Sequence, residues 1–577
     1  MRKLFYIISI AAMVSLALVF MHIRPDNGVY RDDARYYNDI SFSKAPGAYA
    51  GPFDLAITAP TDEIYYTLDG SEPDRGSIKY TGPVPIGDAS ADPNRYSMRE
   101  DVSAFCDDEM RELYRQTHWA AANVSPEYRA PEQNIRKCTV IKAVYYDRDG
   151  NRGNTLTGSY FVGEGRGGYA DRLKTVSLVM DPADLFDYER GIYVTGKLRD
   201  DFFAKINDEN REEMLDSHWP ANYSERGREW EREATLQMYD SRGCSLSQQV
   251  GVRIKGEGSR EYHPKSFNLY ARSEYDGNTV IHTEGKTGMC LEAMTLYFGG
   301  EDIYSKLRDP LMADICSDMG FATMTFRPCE LFINGEYWGY CFLTEKYDEK
   351  YVERMYGVDD DNVVMIKNNY KSEGEPSDLD IYMNDMTFIA DADMTVPENY
   401  ERAKEILDME GFIDYMAAEI YIARWSDWPT GNINQWRSRT YENGKYGDCR
   451  WRYMLFDVNW GGMMYDEGDA TRDTIASTRL PSPVFDNLCN NPEFRDAFIA
   501  RLMSMRENEF APEHVAKKID GYAAMMEGPM KEHYMRFFGT DDERFREEAE
   551  KLKLFFNERY EYIPVMIEAN FPGYAMD

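Results

Sequence analysis

Apolar and polar residues alternate in two stretches of the first part of the chain. Residues 64–68 and 139–147 both have the period of two that is typical of a half-buried β-strand. Each stretch runs into an Asp-Gly pair, at 69–70 and 149–150, which favours a tight turn. We therefore predict a small all-β sandwich over residues 42–162, interrupted by an insertion that covers residues 88–137.

The chain begins with a different pattern. Residues 4–21 carry no charge and follow Arg2 and Lys3. As a helix they would span roughly 27 Å, which is close to the hydrocarbon thickness of a bilayer. Because a small-x-small cleavage motif is missing after this run, we predict a signal-anchor over residues 1–24 that leaves the body of the protein outside the cytoplasm. Cleavage of the signal would instead give a secreted protein.

A glycine-rich joint at residues 163–173 leads to a second domain, which we place at 174–505. The pattern there predicts strands at 250–254 and 265–271, a helix at 308–316, a hairpin across 330–344 and helices at 400–424. This mixture indicates an α+β domain, and residues 506–577 have the period of a helical C-terminal extension. Residues 355–400 are acidic and predicted to be rich in loops. The chain is thus multidomain, and we expect the sandwich and the second domain to be independent units.

Composition narrows the classes of function. At 577 residues the chain is long enough for two or three domains, and its 101 acidic against 66 basic residues give a formal charge of −35. Such a chain is not expected to bind nucleic acid unaided, whereas it suits a basic partner such as a Lys-, Arg- and Ser-rich protein. Nine cysteines at irregular spacing predict neither a zinc site nor a dense disulfide framework, and Cys106 with Cys138 is the first pair to test as a bridge.

Three polar residues of the second domain have a spacing that indicates phosphoryl transfer. Asn432 follows Asp427 by five positions, and Asp457 ends the apolar run at 451–456. Protein kinases use this order for a catalytic base, a metal-binding amide and the main metal-binding carboxylate. Oxygen ligands of this kind suit Mg²⁺ or Mn²⁺, which makes Asn432 and Asp457 the candidate metal ligands.

A turn rich in glycine lies upstream. Its backbone N–H groups, a serine hydroxyl and nearby cations can bind phosphate, so that the candidates for ATP binding are Lys255, Gly256, Gly258, Ser259, Arg260 and Lys265. From the order of parts in a kinase we also expect Glu345 near the adenine. Asp309, in the helix at 308–316, is then the acidic partner of Lys265.

The conspicuous motifs of the second domain are Lys255-Gly-Glu-Gly-Ser-Arg260, Lys265-Ser-Phe267, Leu307-Arg-Asp309, Ile333-Asn-Gly-Glu-Tyr-Trp-Gly339, Asp427-Trp-Pro429 with Asn432, and residues 451–457. In this order they closely resemble the CotH family of spore-coat protein kinases, which have an atypical kinase fold. The resemblance implies ATP- and metal-dependent phosphorylation of a Ser or Thr of a surface or spore-coat protein. It also implies that Asp427 and Lys265 are catalytic and that Asn432 and Asp457 hold the metal.

The first domain resembles a known module as well. Residues 64–73, with Ser77 and Tyr80, are similar to the C-terminal sandwich module of chitobiase and β-hexosaminidases. That resemblance implies either contact with glycan or the cell wall, or a structural spacer that holds the next domain off the surface.

Two other functions remain open from the sequence. In one, the kinase-like domain is inactive and the protein is a cell-surface or coat scaffold that binds glycan through the sandwich. In the other, Asp427 and Asp457 are the acid and base of a glycoside hydrolase, which would require carboxyl groups about 5–10 Å apart in a sugar-sized cleft. Binding of a nucleotide with Mg²⁺ or Mn²⁺ would favour the kinase, and binding of chitin fragments or peptidoglycan would favour the alternatives.

Overall fold

A computed structural model describes residues 39–118, 126–163, 173–241, 243–282, 290–368, 370–424, 428–464, 469–541 and 543–573. The signal-anchor predicted at residues 1–24 lies outside these ranges and stays a prediction. Within them, no helix is both long and apolar enough to span a bilayer.

The first domain is a β-sandwich, as its alternating pattern predicts. Its strands are β1 (Ser41–Phe42), β2 (Gly47–Tyr49), β3 (Phe53–Leu55), β4 (Ile57–Thr58), β5 (Ile64–Thr67), β6 (Ile78–Lys79), β7 (Val84–Ile86), β8 (Thr139–Tyr145) and β9 (Leu156–Val162). One sheet has the order β2-β9-β8-β5-β6, and the short pairs β1-β4 and β3-β7 cover it. Leu55 and Ile57 from these pairs share one buried core with Ile141 and Ala143 of the larger sheet.

The insertion between β7 and β8 packs on the second domain. It contains a helix, α1 (Asp108–Thr117), preceded by a short 3₁₀ turn. The Ser103 hydroxyl donates to the carbonyl of Glu261, and the Phe105 ring stacks on Tyr262 with the centroids 5.6 Å apart. The insertion therefore braces the glycine turn of the second domain from outside.

The second domain opens with a closed seven-stranded β-barrel. Its strands are β10 (Lys174–Val179), β11 (Arg232–Asp240), β12 (Gly243–Lys255), β13 (Ser266–Tyr270), β16 (Ala293–Tyr297), β17 (Phe326–Ile333) and β18 (Glu336–Glu345), while β14 (Ile281–His282) and β15 (Cys290–Leu291) form a separate pair. The strands follow the order β10-β11-β12-β13-β16-β18-β17, and β10 closes the barrel by pairing in parallel with β17. The two strands predicted around the glycine turn are the antiparallel pair β12-β13.

Short helices connect the barrel strands, and the predicted helix at 308–316 is present. These helices are α2 (Pro182–Phe186), α3 (Gly196–Phe203), α4 (Arg211–Asp216), α5 (Ser273–Asp276) and α6 (Arg308–Ile315). The predicted hairpin at 330–344 is β17-β18, which turns at Asn334-Gly335. Both residues of this turn have a positive φ, as expected for an Asn-Gly turn.

The remainder of the chain is mainly helical around a four-stranded sheet. Its elements are α7 (Glu349–Tyr356), β19 (Val363–Lys367), β20 (Tyr370–Glu373), α8 (Asp378–Asp391), α9 (Pro397–Ile406), α10 (Met409–Ile422), β21 (Asn434–Ser438), β22 (Arg452–Met454), α11 (Thr474–Arg479), α12 (Pro483–Leu488), α13 (Pro492–Glu507), α14 (Pro512–Phe537) and α15 (Arg544–Asn570). The sheet has the order β20-β19-β21-β22. The helical C-terminal region is confirmed, and Met526 and Phe556 belong to the same core as α10. The prediction that residues 355–400 are rich in loops is wrong, since β19, β20 and α8 lie there.

Buried polar contacts join the sandwich to the barrel. The hydroxyls of Ser159 and Ser177 lie 2.9 Å apart. At the β17-β18 turn, the Glu336 carboxylate accepts hydrogen bonds from the N–H groups of Arg95 and Ser97, the latter at 2.8 Å. Separating the domains would break these hydrogen bonds and expose the apolar residues packed at the junction, such as Val140 and Phe332, to water. The structure therefore does not support the expectation of two independent units.

The cysteines also differ from expectation. Cys106 and Cys138 are both free thiols, because Cys138 is buried at the sandwich–barrel junction beside Val179, whereas Cys106 packs on the cores of the second domain. The sulfurs of Cys329 and Cys341 instead face each other across β17 and β18 at 3.4 Å. No sequence spacing indicated this pair, because it depends on the register of the hairpin.

Candidate functional site

The predicted metal ligands meet at one end of the four-stranded sheet. Asp457 follows β22, and Asn432 precedes β21. The Asn432 amide donates to the Asp457 Oδ2 atom at 2.8 Å. Both residues have left-handed backbone, with φ of +51° at Asn432 and +58° at Asp457, which is uncommon for residues other than glycine. Such strained positions occur preferentially at functional sites.

Asp309 reaches the same place from the first turn of α6. The backbone N–H of Val458 donates to the Asp309 Oδ1 atom at 2.8 Å, and the Tyr297 hydroxyl donates to Oδ2. A buried carboxylate thus fixes the backbone directly after Asp457. Asp309 was expected to pair with Lys265, but its partners are Tyr297 and Val458.

Lys255, the last residue of β12, faces this cluster. Its ammonium nitrogen lies 4.6 Å from the centroid of the Tyr297 ring. Together with Asp309, Asp457 and Glu345 it lines a narrow cleft with a volume of about 40 Å³ between the barrel and the helical part. The apolar walls of the cleft are Ala313, Met324, Phe326, Leu455, Phe456 and Val458.

Glu345 also lies in this cleft. It is the last residue of β18, is buried, and forms an ion pair with Arg354 at 3.3 Å. Burial raises the pKa of its carboxyl. Its placement among apolar walls is compatible with the expected position near an adenine ring.

Two further polar residues, Glu301 and Asn459, were missed from the sequence. The fully buried Asn459 amide donates to the Asp457 Oδ1 atom at 3.0 Å and to the Tyr297 hydroxyl at 3.3 Å. It also lies 3.4 Å from the Glu301 Oε2 atom. Gly300 permits this packing, because a Cβ there would lie 2.6 Å from the Asn459 amide. The Asp-x-Asn spacing at 457–459 and the glycines at 299–300 were the available signals.

The carboxylates of the cluster repel one another. Burial, reinforced by the nearby charge of Asp457, raises the pKa of both Asp309 and Glu301. A raised pKa means that the site disfavours several negative charges in close proximity. A cation bound beside Asp457 would relieve this repulsion.

Arg260 and Lys265 have structural roles that sequence reasoning did not anticipate. The Arg260 guanidinium donates to the carbonyls of Gly256, Tyr223 and Glu225 at 2.7, 3.0 and 2.7 Å. It holds the glycine turn in place from behind. Ser259 lies inside the same turn, since a Cβ on Gly256 would lie 2.3 Å from its hydroxyl oxygen.

Lys265 does not line the cleft. Its side chain is completely buried, and its ammonium donates to the carbonyls of Arg260 and Tyr262. The same ammonium lies 3.7 Å from the centroid of the Tyr223 ring. Burial lowers the pKa of Lys265 to about 7. Of the two candidate lysines, the structure thus brings Lys255 to Asp457.

Asp427 lies outside the described residues. Before it in the chain, Arg424 donates to the carbonyl of Phe456 at 3.0 Å, and after it the Trp428 indole donates to the Tyr415 hydroxyl at 3.1 Å. The catalytic role that the sequence gives to Asp427 stays a prediction.

The family of the chain follows from a comparison with protein-family models. The model described as CotH kinase protein matches residues 252–563, which is more than half of the chain. The chain belongs to the CotH kinase family. A second model, described as Fn3 associated, matches residues 54–160, in agreement with a β-sandwich module of the predicted kind. A search of curated proteins gave no match.

Membership in the CotH family indicates that the chain is a kinase-like enzyme. The matched segment begins in β12 and ends in α15, so it contains every described residue that lines the cleft.

Within the described ranges, no group of three or more His, Cys, Asp or Glu side chains has the spacing of a metal site. A metal held by described residues would therefore have at most two ligands of these types and would need other oxygen ligands as well. The Asn459 amide nitrogen donates to Asp457, whereas its Oδ1 atom is buried without a hydrogen-bond partner, and an unsatisfied amide oxygen fits a hard divalent cation.

Proposed function

We propose that this chain is an ATP- and divalent-metal-dependent protein kinase that phosphorylates Ser or Thr of a surface or coat protein. One observation carries the proposal: in a member of the CotH family, the fold gathers Lys255, Asp309, Glu345 and Asp457 around a single cleft. Phosphoryl transfer requires mainly positioning and neutralisation of charge, and these residue types supply both.

The nucleotide would enter with its base toward Glu345 and its phosphates toward Asp457. The walls formed by Ala313, Met324 and Phe326 are apolar and would exclude water from the base. Lys255 supplies a positive charge at the phosphate end. The backbone of the turn from Gly256 to Ser259 begins directly after Lys255 and offers N–H groups to the same phosphates.

Asp457 would hold Mg²⁺ or Mn²⁺ together with the side-chain oxygens of Asn432 and Asn459, whose amide groups would turn away from donating to Asp457. When bound, the cation neutralises charge on the phosphates. Asp309 keeps the backbone after Asp457 in place through the Val458 N–H, and so fixes the direction of the Asp457 carboxylate. Asp427 would orient the acceptor hydroxyl and accept its proton.

The acceptor would be a basic protein. With a net charge of −35 the chain attracts Lys- and Arg-rich segments, and the spacing of Ser in such a segment would determine which hydroxyl reaches the cleft. The sandwich would provide contact with glycan or the cell wall, and the N-terminal run at residues 4–21 would keep the protein at a membrane or direct its secretion.

The proposal is tested with γ-labelled and α-labelled ATP in parallel, using the full chain, Mg²⁺ or Mn²⁺ and a basic Ser-rich acceptor protein. Transfer of γ-label alone supports a kinase, whereas transfer of α-label indicates nucleotidyl transfer. Binding of ATP without transfer of either label would refute catalysis and favour a scaffold.

Two substitutions assign the roles of the acidic residues. Asp457→Asn should weaken metal-dependent ATP binding and abolish transfer, because a charged ligand is lost. Asp427→Asn should leave ATP affinity nearly unchanged while transfer falls by roughly 10²- to 10⁴-fold. Asp149→Asn, at an exposed turn of the sandwich, is the matched control and should change neither quantity.

A further inference from the structure

A second lysine lies beside Phe456, which is part of the cleft wall. Lys367 is the last residue of β19, and its ammonium nitrogen lies 4.4 Å from the centroid of the Phe456 ring. Phe456 lines the cleft and directly precedes Asp457. Lys367 belongs to the segment that was predicted to be rich in loops.

The register of the sheet explains why this lysine reaches the site. Lys367 pairs with Asn434 of β21, and Asn434 pairs with Met454 of β22. This row of three residues runs across the end of the sheet from which Asn432 and Asp457 extend. Lys367, Asn432 and Asp457 therefore share one edge, although 90 positions separate the first from the last.

Hydrogen bonds fix the end of β19 to the segment that carries Asn432. The Asn368 N–H donates to the carbonyl of Ile433 at 2.9 Å, and the Ile433 N–H donates to the Asn368 side-chain oxygen at 3.0 Å. Lys367 is therefore held by backbone pairing and not by a free loop. Its position relative to Asn432 is determined by the fold.

Charge supports a role for Lys367 in binding an anion. Although Lys367 reaches solvent, the protein atoms around its ammonium and the nearby charge of Lys255 lower its pKa. Within the described ranges, neither Lys255 nor Lys367 has a carboxylate at ion-pair distance, in a chain with a large excess of acidic residues. Two cations that repel each other at one end of a cleft favour a multiply charged anion.

We propose that Lys367 binds the terminal phosphate of ATP, so that Lys255 from the barrel and Lys367 from the sheet hold the triphosphate from opposite sides. This inference rests on the proposed kinase function. It adds a phosphate-binding residue from β19, which lies outside both the glycine turn at Gly256–Ser259 and the segment that carries Asp427 and Asn432. Because Lys367 lies beside Phe456 and not beside Glu345, its contact is with the phosphates and not with the base.

The test compares adenosine, ADP and ATP as ligands of the full chain with Mg²⁺, by calorimetric titration. Lys367→Met should lower ATP affinity by about tenfold, because a charged hydrogen bond is lost, and should leave adenosine affinity unchanged. Lys367→Arg keeps the charge and should restore most of the ATP affinity. Lys445→Met is the matched control, since Lys445 is also exposed and lies 4.8 Å from the centroid of the Tyr446 ring.

The outcomes separate this inference from the function on which it rests. If the parent protein binds none of the three ligands, the proposed function is refuted. If the parent binds ATP and Lys367→Met binds it equally well, the role of Lys367 is refuted and the kinase proposal stands. An equal loss of adenosine and ATP affinity in Lys367→Met would also overturn the inference, because it would indicate a general disturbance of the cleft.

Discussion

Replacing Lys255 with methionine should weaken ATP binding without unfolding the protein. The ammonium of Lys255 lies over the Tyr297 ring and has no carboxylate at ion-pair distance within the described ranges. Its loss therefore removes a cation–π contact that is worth about 0.5–1 kcal/mol and little else from the folded state. A lysine that donates to phosphate contributes about 1.5–3 kcal/mol, so ATP affinity should fall by about 10- to 100-fold.

Lys265→Met is the informative comparison, because Lys265 lies only ten positions further along the chain and is entirely buried. Its ammonium donates to two backbone carbonyls and does not line the cleft. This variant should retain ATP affinity as long as it is folded. Its effect should be on the free energy of unfolding.

The pH dependence of stability identifies the buried lysine. The pKa of Lys265 is lowered from 10.5 to about 7, so between these pH values the unfolded chain holds a proton that the folded chain has released. The contribution of Lys265 to the free energy of unfolding is therefore largest above pH 10.5 and decreases as the pH falls toward 7. The slope is at most about 1.4 kcal/mol per pH unit.

Urea unfolding at pH 7 and pH 9, combined with ATP titration at pH 7.5, measures both effects. The gain in stability from pH 7 to pH 9 should be smaller in Lys265→Met than in the parent, whereas Lys255→Met should keep the gain of the parent. If Lys265→Met loses ATP affinity while its stability and pH slope are those of the parent, the assignment of the two lysines is wrong.

Three further predictions concern the framework of the site. Arg308 is fully buried between two carboxylates, so Arg308→Met should lower the free energy of unfolding by about 3–5 kcal/mol in urea titrations, and a loss below 1 kcal/mol would contradict its bracing role. Glu336→Gln should weaken the contact between sandwich and barrel and speed proteolysis at residues 163–173, whereas an unchanged cleavage rate would show that other contacts suffice. His533 accepts a hydrogen bond from the Tyr340 N–H, and burial holds its pKa well below 6.5. The free energy of unfolding should therefore decrease as the pH falls below about 6.5, and His533→Asn should make this decrease smaller in unfolding experiments at pH 5 and 7. An equal decrease in the variant and the parent would refute the assignment.

Local patterns predicted the elements that local chemistry determines. The strands at 64–68 and 139–147, the helix at 308–316 and the hairpin at Asn334-Gly335 all depend on periodicity or turn residues within a few positions. Closure of the barrel does not depend on such local patterns. It requires Thr175 to pair in parallel with Glu330, and no short-range signal encodes a contact over such a separation.

The candidate site shows the same division. Asn432 and Asp457 were each identified from a local signal, the first from its spacing after Asp427 and the second from the end of an apolar run, and a hydrogen bond joins them in the structure. The choice between Lys255 and Lys265 depends on which side chain faces the cleft. In β12 the buried residues Val252 and Ile254 alternate with the less buried Arg253 and Lys255, a signal that was available but not used. Lys367 could not be predicted, because sheet register alone brings it to Asp457.

Charge in the cleft explains why metal and nucleotide are expected to bind together. Asp457, Asp309 and Glu301 cluster within hydrogen-bond reach of Asn459, Tyr297 and Val458. Burial, and after it the charge of Asp457, raises the pKa of Asp309 and Glu301. A triphosphate alone would add negative charge to this cluster, and Lys255 and Lys367 are too few to balance both. A divalent cation held by Asp457 would offset the negative charge of both the carboxylates and the phosphates. Binding of the cation would in turn lower the pKa of Asp309 and Glu301 and release protons, so each component of the complex makes the site more favourable for the other.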